Sequence, residues 1–112
     1  MIHLFIALIS QPAFVSSSAD EASFADYRRC VLEHVEGAKL TSMDEQILAA
    51  AREACVDDRT GAGLELAGAD MELVVNDKKP QVDADTRMKL MELELSADAI
   101  AQLVERRTKA KN

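Results

Sequence analysis

At 112 residues, with a net charge of −7, 48% hydrophobic residues and no tryptophan, the chain has room for one small domain with a thin, aliphatic core. The acid excess argues against a nucleic-acid surface, because phosphates demand a basic one. It is also uneven: residues 20–77 hold 14 acids and 5 bases, whereas residues 78–112 hold 8 bases and 6 acids.

The first stretch, "MIHLFIALISQPAFVSSSA", has no Asp, Glu, Lys or Arg. An apolar run from Ile2 to Ile9 leads to Gln11 and Pro12, and Ser17 and Ala19 stand at the two positions of a small-x-small cleavage site. That layout predicts a secretory signal peptide over 1–19, although its start carries only the terminal amine and His3 as positive groups. The run falls short of the roughly 20 apolar residues that span a bilayer. No cysteine stands where a lipid anchor would need one, so no stable membrane anchor is expected after cleavage.

The expected fold is mainly α. Residues 20–58 read as an antiparallel helical hairpin. Phe24, Tyr27, Val31 and Val35 recur at helical spacing, with Leu32 broadening the stripe and Gly37 as a stop. Ser42 and Glu45 have the spacing of a capping box, and Ile47, Ala50, Ala51 and Ala54 supply the second apolar face. The loop-like "VDDRTGAG" (56–63) ends that unit, and residues 59–82 read as a linker. Within it, 71–75 suggest a short strand, 76–79 a turn and 80–82 its partner; a helix over 64–75, using Leu64, Leu66, Ala67 and Met71, is the competing reading. Residues 83–112 read as a helix pair. Asp83 or Asp85 caps the first helix, which carries Met88, Met91 and Leu95, and Ser96 caps the second, which carries Ile100, Leu103, Val104 and Arg107. Glu105 and Lys109 have the spacing of an ion pair, and the basic end "RRTKAKN" suits a solvated helix terminus.

The two cysteines, Cys30 and Cys55, sit on the two arms of the hairpin. In an oxidising compartment an even cysteine count reads as a disulfide. Such a bond would stabilise a small domain by roughly 3.5 kcal/mol in the chain-entropy picture. Cys30 lies nearer the connection than Cys55 does, an offset of roughly 9 Å along the helix axes that the short connection and a crossing angle between the helices have to absorb. A metal site is the second reading. His34 follows Cys30 by one helical turn, and Cys55 with Asp57 or Asp58 would complete a set suited to zinc or copper. Free thiols are the third.

The segment "YRRCVLEHVEGAK…QILAAAREAC" resembles one in short exported bacterial proteins of uncharacterised function, whose pattern runs close to Tyr-x-x-Cys-Ile-Leu-x-Asn-Met-x-Gly and then Ala-x-x-Ile-x-x-x-Cys. Tyr27, Cys30, Val31, Leu32, Gly37, Ile47 and Cys55 occupy the matching positions, and His34 and Val35 stand in place of Asn and Met. The resemblance covers about a quarter of the chain. It implies a disulfide-linked hairpin and export, and it carries no activity with it.

Chemistry elsewhere is sparse. Asp83, Asp85 and Glu94 fit three positions of a calcium loop, but Arg87 and Met88 stand where an oxygen ligand and a glycine belong. No Gly-x-Ser-x-Gly occurs, and "TGAG" lacks the Lys-Ser/Thr of a phosphate loop. No catalytic residue and no cofactor is expected. Two functions remain. One is a small non-catalytic interaction or accessory module, periplasmic or secreted, that meets an envelope protein. The other is a cytoplasmic regulator that binds metal through Cys30, His34 and Cys55, or DNA through a helix-turn-helix-like segment over 84–108.

Overall fold

A computed structural model describes residues 18–111. They form four helices: α1 Ser18–Gly37, α2 Asp44–Ala54, α3 Val56–Val75 and α4 Ala84–Lys111. The expected signal segment, all but its last two residues, lies outside the described residues. Every helix packs against the other three, α1 most extensively against α3. No helix among the described residues is long and apolar enough to cross a membrane.

α1 buries the expected stripe: Phe24, Tyr27, Val31 and Val35 all lie in the core, and Phe24 meets Tyr27 edge to face with ring centroids 5.5 Å apart. Its opposing faces are Ile47, Ala51 and Cys55 at α2, Ala62 and Leu66 of α3, and Met88, Leu95, Ala99 and Leu103 of α4. Ala50 and Ala54, expected on the buried face of α2, are exposed. The helix also begins one residue later than the capping-box spacing suggested. Met43 precedes it, and the Met43 amide donates to Gln46 Oε1 at 3.4 Å, so the Ser42–Glu45 box does not form.

α2 and α3 are separated by the single residue Cys55, whose backbone angles (φ −106°, ψ 22°) break the helical run without a Gly or Pro. Its amide still bonds back to Ala51 and its carbonyl accepts from the Arg59 amide, so both helices are satisfied at the corner. The linker expected over 59–82 is therefore mostly helix. No strand occurs at 71–75, which are the last residues of α3. Gly61 and Gly63 made "VDDRTGAG" look like a loop, yet neither adopts a positive φ. Burial of Ala62 and Leu66 against α1 holds them in the helix at a conformational cost. "NDKK" is a turn, but one that ends a helix. Asp77 takes the left-handed conformation (φ 58°), its amide donates to the Val74 carbonyl at 3.0 Å, and the Lys78 amide donates to the Leu73 carbonyl at 2.8 Å. That is a Schellman motif with Asp where Gly is usual.

The expected C-terminal helix pair is a single 28-residue helix. Ser96 sits in its interior, because no Gly or Pro interrupts residues 84–111 and the buried positions 88, 92, 95, 99 and 103 keep one continuous face. Without a turn, the helix-turn-helix reading of 84–108 has no structural basis. Asp83 does cap α4: its Oδ1 accepts from the Thr86 amide at 2.8 Å, which holds its carboxyl below the usual range. Asp70 of α3 clamps the same end, accepting from the Ala84 amide and from Arg87.

The far end of α4 is not a free basic tail. Arg106 donates to the Val35 carbonyl, and Arg107 donates to the Leu40 and Ser42 carbonyls and to Asp44. These two cations close the C-terminus of α1 and the α1–α2 connection, adding donors to carbonyls at a helix end and in the turn beyond it. Lys109 pairs with Glu105 at 3.7 Å, as the spacing suggested.

Two substitutions separate this helix from the loop alternative. The Cβ added by Gly63→Ala meets nothing within 4 Å, so the variant should be more stable by about 1 kcal/mol in urea unfolding. Asp77→Gly should add about 0.5–1 kcal/mol by relieving the left-handed position. A destabilising Gly63→Ala would argue for a non-helical segment there.

Candidate functional site

The centre of the molecule holds a carboxylate. Glu92, 7% exposed, stands in the middle of the core face of α4. Its Oε1 accepts from the Tyr27 hydroxyl at 3.0 Å and from Arg52, and its Oε2 accepts from Arg59. The donors come one each from α1, α2 and α3. A single side chain therefore bonds to every other helix. Burial pushes the Glu92 carboxyl up, but the bonds from Arg52, Arg59 and Tyr27 outweigh it and hold the group below its usual range. Burial, offset in part by Arg52 and reinforced by Glu92, raises the Tyr27 hydroxyl. Burial also works against the charge on Arg52, yet its bonds to Tyr27 and Glu92 leave that charge more secure.

This cluster joins all four helices. A general acid or base works best with a pKa near the working pH, and Glu92 is moved away from it with both oxygens occupied. The charge on Glu92 also hid it. Its position continues the Met88–Leu95 line, which the sequence showed only through its apolar members Met88, Met91 and Leu95. Arg52 and Arg59 carried no signal of their own, since one lies in ordinary charged helix sequence and the other in the stretch read as a loop.

The second cluster is the one the cysteines announced. Cys30, on α1, and Cys55, at the α2–α3 corner, are joined by a disulfide with Cα atoms 6.0 Å apart. The axial offset expected between them does not keep them apart. The bond thus fixes the corner between two helices to the middle of a third. It is the kind of bond that persists in oxidising compartments. His34 is exposed one turn below, and a nitrogen of its ring and both sulfurs lie within 4.8 Å of one another. Asp57 and Asp58, expected as a fourth ligand, are not part of this cluster and occupy the first turn of α3. His34 also borders an open cleft of about 300 Å³ between α1 and α2, shared with Lys39, Ser42, Gln46 and Ala50.

The third feature lies on the outside. On α3, Leu64, Met71, Val74 and Val75 are all more than half exposed, with Ala67 between them. On α4, Leu90, Leu93 and Val104 are likewise exposed, and Ala97 and Ala101 fill the intervening turns. Spacings of 3 and 4 make each set one continuous stripe on the face turned away from the core. Leu64 and Met71 had been grouped with Leu66 as one buried face, but only Leu66 is inside. Val104, expected in the core with Leu103, points out.

Comparison with protein-family models, with curated proteins and with solved structures finds no match for this chain.

The central carboxylate makes a signed prediction. A folded-state pKa below the unfolded value adds stability above the ordinary value of 4.5, and that stability is lost as pH falls through the folded value. Glu92→Gln should cost about 2 kcal/mol at neutral pH, less than a fully buried ion pair because both arginines reach solvent. In urea unfolding the gap between the native protein and Glu92→Gln should shrink as pH falls below 4.5. On the alkaline side the raised Tyr27 hydroxyl predicts stability falling as pH rises beyond 10.0. A gap that stays constant across the acid range would mean that Glu92 is not held as an ion.

Proposed function

We propose that the chain is a small exported protein, periplasmic or secreted, that works as a non-catalytic interaction module for a protein of the cell envelope. The observation that carries this reading is the pair of outward apolar stripes on α3 and α4. Isolated exposed aliphatic residues need no explanation, but contiguous ones at helical spacing mark a contact surface. The segments fit recognition of an apolar helix face, in which anchors recur every three or four residues.

Three further observations support it. The charge-free stretch before Asp20 has a signal-peptide layout. The Cys30–Cys55 bond suits an oxidising environment. The buried ionisable cluster has its oxygens fully engaged, so it serves the fold rather than chemistry. The acidic balance of residues 20–77 favours a protein partner with basic groups around its apolar contact and disfavours nucleic acid.

A photo-crosslinking side chain placed at Leu93, and at exposed Glu53 as a control, tests the reading in cells that make the protein. The expected outcome is one discrete adduct from position 93 and none from position 53. The crosslinked chain should lack residues 1–19 and weigh about 2 Da less than its reduced form, the two hydrogens lost on oxidation. The purified partner should bind the Leu90→Glu/Leu93→Glu variant at least about tenfold more weakly than the native chain, with melting temperature unchanged. A retained N-terminus with free thiols, or equal adducts from both positions, would contradict the proposal.

A further inference from the structure

The disulfide has an exposed imidazole beside it. We propose that, once the Cys30–Cys55 bond is reduced, Cys30, Cys55 and His34 bind one zinc ion. This goes beyond the interaction reading and does not rest on it, because the three side chains are brought together by the fold wherever the protein works.

The geometry comes from two helices and a corner. Cys30 and His34 share one face of α1, one turn apart, and Cys55 is delivered to the same place by the break between α2 and α3. The Cα atoms of the cysteines are 6.0 Å apart and the three ligand atoms lie within 4.8 Å of one another. A tetrahedral zinc with bonds of about 2.3 Å to sulfur and 2.0 Å to nitrogen requires sulfurs about 3.8 Å apart and a nitrogen about 3.6 Å from each. The sulfurs therefore separate by side-chain rotation, and the ring approaches by about 1 Å, with no movement demanded of the helices. His34 is free to do so. Its ring is exposed, and no hydrogen bond or ion pair engages it among the described residues. His34 is exposed and Cys30 half-buried, so the fourth position faces solvent and falls to water.

The oxidised protein cannot bind zinc in this way, since disulfide sulfurs are not thiolates. Reduction by a dithiol transfers two electrons and two protons. The sulfur–sulfur bond breaks, Cys30 and Cys55 become thiols, and the dithiol closes to its own disulfide. Zinc then binds the two thiolates and the neutral imidazole, and two protons pass to solvent. The covalent link between α1 and the α2–α3 corner is replaced by a coordinate one across the same gap. Zinc also withholds the thiolates from reoxidation.

The test uses the full chain, reduced anaerobically with a phosphine, and cobalt(II) as a spectroscopic stand-in for zinc. The expected result is thiolate-to-cobalt absorption and tetrahedral visible bands that saturate at one equivalent and vanish when zinc is added. The oxidised chain should show neither. His34→Ala should weaken binding about tenfold or more, and Cys30→Ser about a hundredfold or more. Circular dichroism recorded at each addition covers the case in which the reduced chain loses helix: zinc should then restore the helicity of the oxidised form. A reduced chain with no thiolate-to-cobalt absorption, an unchanged affinity in His34→Ala, or metal binding with no recovery of lost helix would each overturn the proposal.

Discussion

One carboxylate sets the relative positions of four helices. Glu92 is on α4, and its two oxygens take donors from Tyr27 on α1, Arg52 on α2 and Arg59 on α3. A small aliphatic core has little directional information, because Leu, Val and Ala pack in many similar ways. A buried charge is different. Leaving it unpaired costs several kcal/mol, so arrangements that fail to bring all three donors to it are disfavoured. The apolar residues around it supply the drive to collapse, and Glu92 restricts the ways in which they do so.

The remaining links act at the edges of this arrangement. Asp70 holds the start of α4 against α3, while Arg106 and Arg107 hold its end against α1 and the α1–α2 connection. The disulfide adds a covalent tie where the chain turns between α2 and α3. It acts mainly by removing freedom from the unfolded chain. Polar bonds fix the geometry, and the covalent bond limits the alternatives. With the inside secured in this way, the exposed aliphatic faces of α3 and α4 are surplus to the fold's own needs, and that surplus underlies the proposed docking role.

Much of this was legible in the sequence where one residue type had one job. The apolar stripe of α1 and the cysteine pair followed from spacing and chemistry alone, and the cap of α4 was narrowed to Asp83 or Asp85, of which the structure uses Asp83. Legibility failed where two effects competed. Gly61 and Gly63 signalled a loop, but the burial of Ala62 and Leu66 outweighed their helix penalty. Ser96 signalled a cap, but the core line through Leu95 and Ala99 carried the helix past it. Glu92 gave no sequence signal at all. Patterning treats a charge as surface, and a buried carboxylate depends on donors 33, 40 and 65 residues away, which no local pattern shows. The one-turn spacing of Cys30 and His34 was visible in the sequence, whereas the closeness of Cys55 to both needed the corner between α2 and α3.

The most direct measurement is a carbon-13 NMR titration of the Glu92 side-chain carboxyl, read together with the amide shifts of residues 27, 52 and 59. The account predicts a midpoint below the ordinary 4.5, with all three amides responding at that same pH. A midpoint at or above 4.5, with amides on α1, α2 and α3 that do not follow it, would contradict the claim that this one ionised group joins the four helices.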